Sequence, residues 1–107
     1  YAEKHISKNN NKFVIQKSIK DVGTFYSKFD SLDLAIIIRD FLVDIDWDLD
    51  YFGRSDNIAY INNKYYVFKK NKLRLYILDE FDSYDDAFNH RDELIENFSY
   101  KTFNTDK

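Results

Sequence analysis

Hydrophobic and polar positions along this chain change their period twice, and the two changes are alike. From Lys12 to Lys17, and again from Val22 to Tyr26, the sequence is rich in β-branched and aromatic residues. Such runs predict a pair of strands. Lys64–Lys69 and Leu73–Leu78 repeat the pattern. Ser18–Asp21 and Lys70–Lys72 fall between the runs as hairpin turns, where Asn71 suits the left-handed backbone of a tight turn. A shorter strand is expected before each pair, at His5–Lys8 and Ile58–Ile61, with Asn10-Asn11 and Asn62-Asn63 as turns. After Ser31 and Ser83 the spacing becomes helical. Leu34, Ile38, Leu42 and Ile45 share one face of a first helix, and Ala87, Leu94 and Phe98 hold the corresponding stripe of a second. Both serines are N-cap residues, followed by Asp33, Asp85 and Asp86 in first turns, where the helix dipole favours acids.

The echo has a fixed step. Asn10-Asn11-Lys12, Phe29-Asp30-Ser31, Ala35, Arg39-Asp40 and Leu42 recur 52 positions later as Asn62-Asn63-Lys64, Phe81-Asp82-Ser83, Ala87, Arg91-Asp92 and Leu94. A repeat of constant period divides one fold into two copies of a smaller one. The expectation is an α+β protein of two tandem β-β-β-α units, each a three-stranded antiparallel sheet packed on one helix. Residues 1–52 would form the first unit and 53–107 the second. Units of this size bury little surface alone, and with no cysteine to brace them the two should share a core. The first helix is apolar nearly all round, with Ile36, Ile37, Phe41 and Val43 outside its main stripe. It wants cover on two sides, from the second unit or from a homodimer partner. Trp47, Leu49, Tyr51 and Phe52 make the connection too apolar for a free linker.

Charge adds a second pattern. The net charge of −3 conceals residues 1–28 at +4, 29–57 at −6, 58–80 at +3 and 81–107 at −4. The strand halves are basic and the helix halves acidic. A cationic sheet surface that meets an anion is one meaning of this. The other is that lysines guard strand edges while acids serve helix dipoles. No apolar run approaches the roughly 18 residues of a membrane span, and no secretory signal opens the chain, so a cytoplasmic location and no membrane partner are expected. The chain begins at Tyr1, which suggests a piece of a longer protein whose other domains would be its partners.

Phe29-Asp30-Ser31-Leu32-Asp33-Leu34-Ala35 with Arg39-Asp40, and Phe81-Asp82-Ser83-Tyr84-Asp85-Asp86-Ala87 with Arg91-Asp92, resemble the passage between last strand and helix of the plant ethylene-response-factor (APETALA-type) DNA-binding domain. The same unit is similar to the arm-binding N-terminal domain of tyrosine integrases. The resemblance implies a three-stranded sheet laid in the DNA major groove with the helix behind it. It implies that Phe29 and Phe81 anchor strand to helix and that Ala35 and Ala87 let them approach. The DNA-facing strand positions would here hold Lys12, Lys17, Lys20, Lys64, Lys69, Lys70, Lys72 and Arg74. The strand faces of the first copy contain no Arg, the family's Trp positions hold other residues, and its glycine two residues before the Phe is Ser27 in one copy and Asp79 in the other. Lysine neutralises phosphate but reads guanine less well than a bidentate arginine.

Catalytic constellations are weak. Asp44, Asp46, Asp48 and Asp50 alternate, and an extended backbone would put all four on one face. The spacing fails the EF-hand pattern, with Tyr51 at the position of its glycine. His5 and His90 are the only histidines; His90 corresponds to Ile38 and should be partly buried. Arg39-Asp40 and Arg91-Asp92 should make separate structural contacts, because helix neighbours point apart. With Gly23 and Gly53 alone there is no phosphate loop. The expectation is therefore a non-enzymatic, cofactor-free module that binds nucleic acid, duplex DNA above all, as an accessory of an integrase-like protein. The alternative is a structural or protein–protein interaction repeat that keeps the fold without DNA.

Overall fold

The computed structural model describes residues 3–99. Its elements are β1 (Ile6–Asn9), β2 (Lys12–Ile19), β3 (Gly23–Phe29), α1 (Leu32–Asp44), a 3₁₀ turn at Leu49–Phe52, β4 (Ile58–Ile61), β5 (Lys64–Asn71), β6 (Arg74–Phe81) and α2 (Tyr84–Glu96). The turns use the residues whose side chains tolerate positive φ: Asn10 at 58°, Asn62 at 51° and Asn63 at 66°. Ser31 Oγ accepts from the Leu34 N–H at 3.3 Å, and Ser83 Oγ from the Asp86 N–H at 3.1 Å, so each helix starts on its serine cap.

The expected pair of separate three-stranded sheets is not what forms. All strands belong to one six-stranded mixed sheet, in the order β1-β2-β3-β6-β5-β4. The reason lies at the strand edges. A three-stranded meander leaves its third strand with a row of unpaired backbone groups, and here β3 and β6 pair with each other. That seam is parallel, with Tyr26 opposite Arg74 and the Tyr26 N–H donating to the Leu73 carbonyl at 3.0 Å. One side chain adds to it. Ser27, 2% exposed, donates its hydroxyl to the Leu75 carbonyl at 2.6 Å.

A parallel seam between corresponding strands turns one half over. The only rotation that exchanges the halves and keeps strand direction is a two-fold along the strands, which inverts the faces. The core confirms the inversion. Ile58 and Val67 pack with Ala87 of α2, whereas Ala59, Ile61, Tyr66 and Phe68 join Ala35, Ile38 and Leu42 of α1. Neighbouring residues of one strand point to opposite faces, so the helices lie on opposite sides of the sheet. A register shift between Val67 and Phe68 leaves Leu78 without a cross-strand partner. This bulge keeps Leu78 on the α2 side while Ile77 crosses to the α1 side.

The larger core cluster draws on both halves: Ile6, Ile15, Phe25 and Phe29 from the first, Phe52, Ala59, Ile61, Tyr66, Phe68 and Leu75 from the second. The outer apolar residues of α1 find cover within the chain. Phe41 meets Tyr51 edge-on at 4.8 Å and Phe52 at 6.2 Å. Ile36 and Ile37 are half-buried, and of the four only Val43 is exposed.

The recurring arginines also gain a role. Arg39 donates to the Lys4 carbonyl at 2.8 Å and Arg91 to the Asp56 carbonyl at 3.4 Å, each just before its half's first strand. Contrary to expectation, each also bends back to its neighbour, Arg39 to Asp40 at 2.8 Å and Arg91 to Asp92 at 3.0 Å. Their long side chains permit this although the Cβ directions diverge. His90, expected to be partly buried, is exposed. Its Nδ1 lies 2.8 Å from the Asp86 carbonyl, and its ring stacks on Phe81 at 5.1 Å.

Ser27→Ala removes a buried side-chain hydrogen bond across the seam and leaves the Leu75 carbonyl without it. Loss of such a bond is worth about 1–2 kcal/mol. Urea unfolding is expected to show a lower midpoint with the same slope and, because the core is shared, a single transition. Two separated transitions would show that the halves fold independently.

Candidate nucleic-acid interface

Strand alternation sorts the eight cations singled out in the sequence. Lys17, Lys64 and Lys70 lie on the α1 side, opposite or beside Phe25, Ile61 and Leu75. Lys12, Lys69 and Arg74 lie on the other side, and Lys20 and Lys72 occupy the hairpin turns. The eight do not form one surface. Charge marks a strand as basic, but the two-residue period decides which face each charge takes, and the two-fold reverses that choice between copies.

Several of these cations are already engaged. Lys12 pairs with Asp30 and Lys64 with Asp82, the same pair in both halves. The Asp82 bond is the main reason that the Lys64 ammonium is held above its ordinary pKa. Lys17 lies 5.9 Å over the ring of Trp47. Lys70 lines a groove of about 330 Å³ with Ile19, Val22, Trp47, Leu49 and Leu73. The second half offers no bare strand face, since α2 packs on one side and α1 with the 3₁₀ turn on the other.

The first half is different. The face of β1–β3 opposite α1 is covered by neither described helix, because α2 contacts β4, β5 and β6. It presents Ser7, Asn9, Lys12, Val14, Gln16, Ser18, Thr24, Tyr26 and Lys28. Ser7, Asn9, Gln16, Ser18 and Thr24 are exposed, and Val14 is the one buried member. None of the nine is a carboxylate. Arg74, from the seam, adds an exposed guanidinium 4.4 Å above the Tyr26 ring. Lys28, Gln16 and Tyr26 escaped the sequence reading, which weighed lysines by charge and not by position. Taking alternate residues of β2 and β3 in register finds them.

The acidic run does not make a cation site. Helix α1 ends at Asp44, and Asp46 and Trp47 turn through positive φ of 56° and 57°. Asp48 then caps the 3₁₀ turn, accepting from the Asp50 N–H at 3.1 Å. The backbone is therefore not extended, and no three acids or histidines converge on a metal position among the described residues. No described helix is long and apolar enough to cross a membrane. No protein-family model matches the chain, and neither a curated protein nor a solved structure matches it.

Beside the Lys17–Trp47 contact, His5 meets the Trp47 ring edge-on at 5.2 Å. Burial, and then the charges of Lys4, Lys17 and Arg39, lower its pKa from the ordinary value. The unfolded chain then takes the proton first as the pH falls below about 6.5. Stability is full above that pH and declines until the lowered folded value is passed. Thermal melts at about pH 7.5 and 5.5 are expected to show a larger loss for the native protein than for His5→Asn, which suits the φ of 66° at this position. Equal losses would remove His5 from the pH response.

Proposed function

We propose that this chain is a nucleic-acid-binding module that meets its ligand with the face of β1–β3 opposite α1. The observation that carries this reading is a mostly polar sheet face that neither described helix covers, with no carboxylate among its nine strand residues and with the Arg74 guanidinium at its border, in a chain whose acids outnumber its bases. Three strands spaced about 4.8 Å apart span about 10 Å, which fits a major groove about 12 Å wide. Arg74 neutralises phosphate, and Lys28 adds positive charge to the same face. Gln16, Ser7, Ser18 and Thr24 offer short hydrogen-bonding groups to base edges or backbone oxygens. With one glutamine and no arginine on β1–β3, phosphate contacts outweigh base readout, so affinity depends strongly on salt and weakly on sequence.

Helix α2 sets the boundary of the footprint. Its exposed Asp85, Asp86, Asp92, Glu93 and Glu96 stand on the same side of the sheet, over β4–β6. They repel phosphate and confine the ligand to the first half.

Fluorescence anisotropy with labelled duplex and single-stranded oligonucleotides, at about 50 and 200 mM salt, tests this. Lys28→Glu with Arg74→Glu is expected to weaken binding and to lower the salt slope by about two. Lys17→Glu with Lys70→Glu, on the opposite face, should change binding far less. Absence of binding by the native chain, or equal loss from both pairs, overturns the proposal.

A further inference from the structure

A second surface of different chemistry lies at the far end of the sheet. Of the large hydrophobic side chains most exposed on the described residues, Tyr60 (50%), Tyr84 (40%) and Phe88 (46%) fall in one patch. Tyr65 links them. Its ring is 4.7 Å from Tyr60 and 6.1 Å from Tyr84, and Tyr84 stacks on Phe88 at 6.1 Å with planes 23° apart. The result is a continuous row of four rings from the edge strand β4 to α2. Contiguous exposed aromatics of this kind mark interaction sites more often than isolated ones.

The row is held in place before any partner arrives. The Tyr60 hydroxyl donates to Asn63 Oδ1 at 3.1 Å, and the Tyr84 hydroxyl to Asp56 Oδ2 at 2.9 Å. Rings fixed in advance lose little further freedom on binding.

Charge selects the occupant. Lys64 is paired with Asp82 and Arg91 with Asp92. This leaves Asp56, against the Tyr84 hydroxyl, and Asp85, its neighbour in the first turn of α2, to give the row an anionic setting. Phosphates are repelled there and cations attracted. The chain already uses the matching contact internally. Arg91 lies 4.6 Å over Phe88, at one end of the row, and Arg54 4.3 Å over Tyr51. A guanidinium is the cation best suited to a ring face, being planar and weakly hydrated.

The edge of β4 argues for side-chain docking over strand addition. Ala59 and Ile61 face β5 for backbone bonding, so Ile58 and Tyr60 turn their polar groups outward. The Ile58 N–H is taken by Asp56 Oδ1 at 3.1 Å and the Tyr60 carbonyl by the Tyr51 hydroxyl at 3.2 Å. A second copy of this chain would find that edge obstructed.

We propose that the row Tyr60–Tyr65–Tyr84–Phe88 is a docking surface for an arginine-bearing extended segment of a partner protein. The arginines stack on the rings and offset Asp56 and Asp85. This surface is independent of the β1–β3 face, and its failure leaves the nucleic-acid reading untouched.

The test is an NMR titration of the whole chain with three Gly–Ser peptides, carrying arginines, lysines or neutral citrullines at the same positions. The arginine peptide is expected to shift the amides of Tyr60, Tyr65, Tyr84 and Phe88, the lysine peptide to bind more weakly, and the citrulline peptide not to bind. Tyr60→Thr combined with Tyr84→Ala should weaken the arginine peptide by about tenfold, the scale of one or two cation–π contacts. Phe88→Ala serves as a second variant that leaves the strands unaltered. Equal binding of arginine and citrulline peptides overturns the proposal. So do shifts confined to Glu93 and Glu96, unchanged affinity in both variants, or a single-stranded oligonucleotide bound on the same rings.

Discussion

The parallel pairing of β3 with β6 is the constraint on which the rest of this molecule depends. Each half alone would be a small sheet with an open third strand and too little buried surface. Joining the two third strands closes both edges at once. Because the joined strands run parallel, the halves face opposite ways, and every later feature follows. The helices separate to opposite sides. Helix α1 reaches over strands of both halves. The second half is covered above and below, and the outer face of β1–β3 is covered by neither described helix.

The seam and the repeat are built from different residues. Positions that recur hold each half together internally. Lys12–Asp30 and Lys64–Asp82 tie the start of the second strand to the end of the third, and Arg39 and Arg91 tie helix to first strand. Ala35 and Ala87, both fully buried, let helix approach sheet. Positions that differ make the joint. Ser27 bonds across it while its counterpart Asp79 lies opposite Val67, exposed. Tyr26 carries Arg74, whereas their counterparts Leu78 and Val22 could not form that contact. The two-fold is therefore only approximate, as a joint with one central parallel pair requires. Gly23 shows how close the approach is. A Cβ there would meet Leu73 Cδ1 at 2.6 Å, and its φ of 139° favours glycine.

This division explains what could be read in the sequence. Periodicity and capping residues are local, so strands, turns and both helix starts were legible: Ser31 and Ser83 sit where their patterns placed them. The joint was not legible, because edge pairing of β3 with β6 leaves no periodic mark. Ser27 gave no sign of the joint, because its partner, a backbone carbonyl 48 residues away, has no signature in the sequence. The candidate site suffered from the same gap. Counting lysines found the basic strands, but Lys17 and Lys69 correspond in sequence and point to opposite faces. Only the inverted packing separates them. The alternation of Asp44 to Asp50 misled for a local reason: two successive residues in the left-handed region end the helix in a turn, not a strand.

The charge pattern follows from the same geometry. Acids gathered on α2 and bases gathered on the strands would attract one another if each helix lay over the face that its partner half leaves bare. The inverted arrangement instead puts α2 over β4–β6 and leaves the carboxylate-free face of β1–β3 beside it. The two candidate surfaces thus sit on one side of the sheet with opposite electrostatic character, one suited to phosphate and one to guanidinium. At physiological ionic strength the Debye length is about 8 Å, less than the width of one half of the sheet. Each surface therefore acts on its ligand as a local field, and the small net charge of −3 predicts neither.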